Sequence, residues 1–175
     1  MIIITAVGTD RPGMAHALVS ILSDAGCNIE DTTMTRLSGE FAMILIVTPA
    51  QGVPVEELSK RLSPLEQSHG LFINCRDIRD EEPDGDEILP RYILSVYGPE
   101  ARGLVARITG VLAHNGVNIT DVQTRVASAG TVYVMLFELE LPSQIDADEL
   151  QRALETAARQ IGVQVSLHPL EEDTL

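Results

Sequence analysis

The chain repeats itself, and this duplication limits its possible folds more than any other feature. A shift of 90 residues aligns the two halves, and beyond the loop near 49–54 we expect the offset to become 92. The best matches pair Gly8 with Gly98, Gly13 with Gly103, 26–29 with 116–119, and Leu62 with Leu154. Repetition at one period indicates duplicated units. The 175 residues are therefore predicted to form two small modules instead of one medium domain.

Each half shows the same succession of hydrophobic periods, alternating between patterns typical of strands and of helices. The first half predicts strand 2–7, helix 14–25, strands 28–37 and 41–47, helix 55–65 and strand 71–75. The second half predicts strand 92–97, helix 102–114, strands 117–126 and 131–141, helix 147–161 and strand 163–168. This order is βαββαβ twice. It predicts an α+β chain of two ferredoxin-like modules in tandem, each an antiparallel four-stranded sheet with both helices on one face.

Composition places the boundaries of these modules. Residues 80–90 hold six acids and no base, so they are predicted to be an exposed acidic linker. We expect module 1 over 1–79, module 2 over 91–170, and an acidic tail over 171–175.

Two predicted central strands are apolar on both faces, 41–47 and 132–137. Two helices can cover only one face of a four-stranded sheet. The other face, or a sheet edge, must therefore be covered by the sister half or by a second chain, and we expect a homodimer.

Charge restricts the partners of the chain. It carries 26 acids against 12 bases, with Lys60 as its one lysine, for a net charge of −14. Nucleic-acid affinity depends on neutralising phosphates with Lys and Arg, so direct binding of DNA or RNA is disfavoured. The N-terminal apolar run 2–7 is too short for a signal or a membrane span. We expect a cytoplasmic protein without membrane contact, in which Cys27 and Cys75, on opposite sheet edges, are free thiols.

The turn from the first strand into the first helix, 8–14, is the strongest candidate for binding chemistry. A helix N-terminus offers unpaired N–H groups and partial positive charge to an anion. Gly13 would let a ligand approach the backbone closely, and Asp10 could receive an ammonium group, so a free amino acid would fit. The alternative is structural, with Asp10 capping the helix and Gly13 serving packing.

The remaining polar residues are less informative: the asparagines allow two interpretations, and the histidines do not indicate a site. Asn28 and Asn118 follow helix-ending glycines, where they could shape a turn or bond a ligand that lies between the two halves. The four histidines lack metal-ligating spacing, and no phosphate-binding or nucleophile motif occurs in the sequence. We therefore expect no metal site and no cofactor.

Two motifs, Asp-Arg-Pro-Gly at 10–13 and Gly-Cys-Asn-Ile-Glu-Asp at 26–31, resemble the ACT domain family of small ligand-sensing modules. The resemblance extends over nearly the whole chain and implies a non-catalytic protein. It implies amino-acid binding at the interfaces between modules, with contacts from the helix-entry turn and from the strand start facing it. In the first copy these positions are Asp10, Arg11, Gly13, Met14, Asn28 and Ile29; in the second they are Gly103, Leu104, Asn118 and Ile119. The second copy lacks the Asp-Arg-Pro triplet, which puts its binding competence in question.

Within the family, the chain resembles tandem proteins that regulate transcription through a DNA-binding partner protein. The resemblance implies an amino-acid ligand, with glycine one candidate. A rival interpretation is a tandem ACT regulator of a metabolic enzyme. A small acylphosphatase-like hydrolase is a further alternative, because Arg11 and Asn28 could bind phosphate.

Overall fold

A computed structural model of the chain describes residues 1–50, 53–78, 89–127 and 132–170. The chain divides into two compact units, Met1–Gly85 and Asp86–Leu175. The first contains β1 (Ile2–Thr9), α1 (Met14–Asp24), β2 (Asn28–Leu37), β3 (Glu40–Thr48), α2 (Val55–Leu62), α3 (Pro64–His69) and β4 (Phe72–Asp77). The second contains β5 (Arg91–Gly98), α4 (Leu104–His114), β6 (Asn118–Ala127), β7 (Val132–Glu140), α5 (Ala147–Arg159) and β8 (Gln164–Pro169).

Each unit has one antiparallel four-stranded sheet, in the order β2-β3-β1-β4 in the first and β6-β7-β5-β8 in the second. The predicted fold class is confirmed, including the central position of β3 and the edge position of β2. Cys27 immediately precedes β2 and Cys75 lies on β4, at opposite edges, and both are free thiols.

The helices cover one face of each sheet. In β3 the residues on that face are buried (Phe41, Met43, Leu45 and Val47), where they pack with the apolar stripe of α1, including Leu18 and Leu22. Residues on the opposite face remain accessible, and Ile44 and Leu136 are each 42% exposed. The structure therefore leaves apolar side chains uncovered on the open face of both sheets.

The predicted helix 55–65 is two helices in the structure, α2 and α3, because Pro64 has no N–H to continue the first one. The Ser63 hydroxyl donates to the Lys60 carbonyl at 3.0 Å, the oxygen that residue 64 would otherwise bond. Pro64 instead begins α3, a position that proline favours.

The structure also moves the point at which the repeat offset changes. Gly8 pairs with Phe41, whereas Gly98 pairs with Tyr133, so the offset is already 92 in the third strand. Two residues separate β2 from β3, and four separate β6 from β7. The expectation of a change near 49–54 is wrong: the two extra residues lie between β6 and β7.

The predicted linker 80–90 lies outside the described residues except for Leu89 and Pro90, and the tail 171–175 lies wholly outside them. Our division into modules over 1–79 and 91–170 therefore stays a proposal about where each folded unit ends.

The β2–β3 hairpin predicts an effect on stability. Ser38 and Gly39 form its two-residue turn with φ of 51° and 88°, the combination of a type I′ turn. Asn adopts positive φ more readily than Ser, so Ser38→Asn should stabilise the first unit by up to about 1 kcal/mol. Ser38→Val should destabilise it by roughly 1–2 kcal/mol. Urea unfolding of both variants measures the difference, and equal stabilities would contradict this account of the turn.

Candidate ligand-binding site

The turn into the first helix has the same construction in both units. Gly13 is the N-cap of α1 with φ 97° and ψ −8°, and Gly103 is the N-cap of α4 with φ 77° and ψ 7°. Neither helix receives a side-chain cap, so first-turn N–H groups remain available. A Cβ at either glycine would meet nothing within 4 Å. Glycine is therefore required here by the left-handed backbone, and the space above it is open.

The structural interpretation predicted that Asp10 caps the helix, but it does not. Its carboxylate Oδ2 lies 2.8 Å from Nε of Arg36, and its N–H donates to the Gly39 carbonyl at 2.8 Å. The Arg36 side chain is 68% exposed and that of Asp10 is 30% exposed, so both groups of the pair can be reached from solvent. The turn of module 1 therefore presents one carboxylate and one guanidinium side by side.

Sequence reasoning missed Arg36. The signal that could have found it is register: Arg36 pairs with Phe41, and Phe41 pairs with Gly8 on the strand that leads into the turn. The end of β2 must therefore lie near Asp10 in a sheet of this order.

The predicted apolar members of the turn have a mainly structural role. Met14 and Leu104 are 1% and 3% exposed and belong to the two cores, so a ligand can reach them only through the backbone. The Arg11 side chain is exposed, and its N–H donates to the Met14 sulfur at 3.3 Å.

The equivalent turn of module 2 borders a cavity of about 370 Å³. Its lining includes Glu100, Arg102, Gly103 and Tyr133. Tyr133 takes the strand position that buried Phe41 has in module 1, and it is only partly buried. Module 2 therefore has a recess with an acid, a base and a hydroxyl, although it lacks the Asp-Arg-Pro triplet.

The two predicted halves of the binding site are not brought together within a module. Asn28 pairs with Thr48 at one end of β3, whereas Thr9, next to the turn, pairs with Glu40 at the other end. Eight residue steps of about 3.3 Å separate these ends by about 26 Å. Asn118, which pairs with Glu140, has the same remote position in module 2. Ile29 and Ile119, near the beginning of β2 and β6, pack against the cores. They therefore also lie far from the helix-entry turns.

At those remote strand starts, each asparagine bonds a glutamate. Asn28 Nδ2 donates to Glu30 Oε1 at 2.9 Å, and Asn118 Nδ2 donates to Glu140 Oε2 at 3.0 Å. The bond from Asn28, and then one from Thr48, lowers the pKa of the Glu30 carboxyl. The acid comes from β2 in one module and from β7, the third strand, in the other. Each asparagine side chain therefore bonds a nearby glutamate instead of the backbone of the glycine turn that precedes it.

The geometry also bears on the alternative of a phosphate-handling enzyme. Arg11 lies at the helix-entry turn and Asn28 at the opposite end of the sheet, so they do not form one phosphate site. Burial raises the pKa of the Cys27 and Cys75 thiols, although Arg61 partly opposes the shift at Cys27. Neither thiol is thus activated as a nucleophile.

Neither a metal cluster nor a membrane-spanning helix occurs in the described ranges. No group of three or more His, Cys, Asp or Glu side chains there could hold a metal ion. None of the helices in this part of the chain combines the length and the apolar character needed to cross a bilayer.

Comparison with known proteins identifies the modules. The ACT domain family model matches residues 1–76 and again residues 91–168. The chain therefore belongs to the ACT domain family, with two ACT modules in tandem.

Among curated proteins, the chain is similar to the glycine cleavage system transcriptional repressor of Escherichia coli K12, with 22% identity over 95% of this chain and 88% of that protein. A single module resembles the UPF0237 protein MJ1558 of Methanocaldococcus jannaschii, with 34% identity over 44% of this chain and 84% of that protein. Among solved structures, an unknown protein from Galdieria sulphuraria superposes with a TM-score of 0.80 at 27% identity, covering 97% of this chain and 98% of that one. The chain is an ACT-domain regulatory protein similar to the glycine cleavage repressor.

Proposed function

We propose that this chain is a non-catalytic sensor that binds a free amino acid and thereby changes its contacts with a regulatory partner protein. The observation that carries the proposal is the duplicated helix-entry turn, in which an uncapped helix start lies beside charged groups of both signs. A zwitterionic ligand needs donors for its carboxylate and an acceptor for its ammonium group.

In module 1 the binding residues are the exposed turn, Asp10 to Gly13, and Arg36. The carboxylate of Asp10 receives the ligand ammonium, while Arg36 and the N–H groups of the first turn of α1 receive its carboxylate. In module 2 the cavity of about 370 Å³ offers Glu100, Arg102 and Tyr133 for the same chemistry. A volume of that order is at the lower end of small-molecule pockets, which suits a ligand such as glycine.

The regulated process is transcription, controlled through a DNA-binding partner protein in the cytoplasm. The name of the Escherichia coli relative supports this proposal, and so does the net charge of −14, which disfavours contact with DNA by this chain itself. The uncovered apolar residues Ile44 and Leu136 support a homodimer as the acting form. The alternative is that the chain regulates a metabolic enzyme. A position of its gene beside genes of the glycine cleavage system would favour regulation of transcription over that alternative.

The sensing proposal predicts a ligand-dependent rise in melting temperature. One of the twenty amino acids at millimolar concentration should stabilise the wild-type chain, by about 2.7 kcal/mol when its concentration reaches 100 times Kd. Asp10→Asn removes a charged partner of the ligand, so its affinity should fall by roughly tenfold or more. Differential scanning fluorimetry across the twenty amino acids measures both effects.

Asp24→Asn is the matched control, because Asp24 is an exposed acid at the far end of α1, the helix that follows the turn. It should leave the ligand-induced shift unchanged. Sensing is wrong if no amino acid stabilises the wild type, and the placement of the ligand in module 1 is wrong if Asp10→Asn responds like the wild type.

A further inference from the structure

A side chain covers the middle of the outer edge of the last strand of module 2. Leu167 N–H donates to Gln151 Oε1 at 2.9 Å, and Gln151 Nε2 donates to the Val165 carbonyl at 3.5 Å. The side-chain amide of α5 thus occupies the pairing groups of Val165 and Leu167, while a cavity of about 360 Å³ borders the start of the same strand at Gln164 and Val165. Further along the same edge stands Pro169, which has no N–H to offer. Side-chain covering and proline are both devices that prevent an edge strand from pairing with another chain.

The equivalent edge in module 1 lacks both devices. By the offset of 92, Ser59 stands where module 2 has Gln151, and Asp77 stands where it has Pro169. Ser59 is too short to reach the strand, and among the described residues its hydroxyl makes no hydrogen bond to β4. In the place of the amide there is an open cavity of about 330 Å³ lined by Val55, Glu56, Ser59, Lys60 and Cys75.

The backbone of β4 has pairing groups directed outward. Ile78 N–H donates to the Met1 carbonyl on the β1 side. Residues of an antiparallel strand alternate in the direction of their backbone groups. Ile73, Cys75 and Asp77 therefore present N–H and C=O groups away from the sheet. The opposite edge strands differ, because β2 and β6 are each interrupted by a bulge, after Ile29 and Ile119, and a bulge weakens edge pairing.

We propose that β4 is the docking surface for a second copy of this chain, which adds its own β4 antiparallel across a two-fold axis at Asn74. In this register the outward-directed residues Ile73 and Cys75 bond each other across the axis. On the open face Phe72, which is 70% exposed, lies opposite Arg76 of the second copy, and Asn74 lies opposite its equivalent. An aromatic ring against a guanidinium is a favourable pair, and no like charges meet. Moving the axis to Cys75 would set the carboxylate of Asp77 against Ile73.

The helix beside β4 is complementary to its own copy. Glu56 and Lys60 line the same side of α2 as Ser59, facing the cavity. Two α2 helices related by the axis run antiparallel, so Glu56 of each copy lies nearest Lys60 of the other. Ser59, small and exposed, lets the helices approach in the middle. A two-fold interface must be complementary to itself, and these residues meet that condition.

This inference rests on the homodimer of the proposed function but forms it at the β4 edge, an interface that does not cover Ile44 or Leu136 on the open sheet faces. It does not depend on the amino-acid ligand. Ser59→Gln installs in module 1 the amide that covers the middle of β8. We expect the wild-type full chain to sediment as a dimer at micromolar concentration. The variant should stay folded, with an unchanged far-ultraviolet circular dichroism spectrum, while its dimer dissociation constant rises at least about tenfold, because the inter-chain hydrogen bonds of β4 are lost. Ser23→Gln, the same change at an exposed position of α1, should leave the dimer intact.

Cross-linking tests the register. Asn74 turns its backbone toward β1, so the two Asn74 residues would form a non-hydrogen-bonded pair with Cα atoms about 4.5 Å apart, within disulfide reach. In a chain with Cys27→Ser and Cys75→Ser, Asn74→Cys should yield a covalent dimer on mild oxidation, whereas the wild type should not cross-link through Cys75.

A wild-type monomer would overturn both the docking surface and the proposed homodimer. A wild-type dimer that survives Ser59→Gln and does not cross-link at position 74 would overturn the β4 surface alone, leaving the homodimer to another face. Cross-linking of the wild type through Cys75 would overturn the Asn74 register.

Discussion

Gly8→Ala is expected to destabilise the first unit by about 1–3 kcal/mol, the cost typical of overpacking a rigid interior. A Cβ on Gly8 would lie 2.6 Å from the Gly70 carbonyl oxygen, a backbone atom that cannot rotate away. The second unit repeats the close approach, since a Cβ on Gly98 would lie 2.7 Å from Val163 Cγ1 and 3.0 Å from its Cα. Gly98→Ala should therefore destabilise module 2 similarly. In a unit of this size, each kcal/mol lowers the melting temperature by roughly 4–8 °C.

Gly110→Ala is the control for these substitutions. Gly110 is exposed within α4, and a Cβ there would meet nothing within 4 Å, so the change should stabilise the helix by up to about 1 kcal/mol. Calorimetry of the three variants separates the effects. If Gly8→Ala and Gly98→Ala melt like the wild type, the strand–loop contacts at these glycines are looser than the structure shows.

Leu45→Ala is expected to cost about 2–5 kcal/mol, whereas Ile44→Ala, one residue away, should cost under about 1 kcal/mol in dilute protein. Leu45 is completely buried under the helices, and Ile44 is 42% exposed on the open face of the sheet. The pair keeps strand, sequence neighbourhood and size constant, so the difference reports which face is covered. Urea unfolding of both variants provides the measurement.

A comparable loss for the two variants would indicate that the open face of β3 is buried in solution. In that case the cost of Ile44→Ala should depend on protein concentration, because an interface between chains forms by mass action.

The order of strands could be predicted from the sequence because alternation and helical periodicity are local signals. The polar stretch 28–37 and the apolar stretch 41–47 separated an edge strand from a central one. The break at Pro64 and the two extra residues before β7 were missed for different reasons. Pro64 sits at a register where apolar residues continue the helical pattern. The extra residues fall within Ser-Ala-Gly-Thr at 128–131, which has no bulky apolar side chain, so no large apolar position moves out of register.

The binding site was less predictable because it depends on which strand ends meet. The turn at Asp10 was visible as a local motif, but its partner Arg36 comes from a strand two positions away in the sheet. Within one module Asn28 does not face the turn, because the antiparallel register of β3 sets it at the opposite end. Its contact with a ligand that lies between modules stays a prediction. Motifs identify residues with chemistry, whereas sheet register decides which of them share a site.

The asparagine–glutamate pairs restrict which sequence segments the two modules can exchange by recombination. Glu30 and Thr48 surround Asn28 in module 1, and Thr120 and Glu140 take the corresponding positions around Asn118. Recombination that replaced only the third strand of module 1 would set a second carboxylate beside Glu30 with one amide to share. The reciprocal event would leave Asn118 between two threonines. Exchange of the third strand alone would therefore break the asparagine–glutamate pair, whereas exchange of the whole hairpin would keep it.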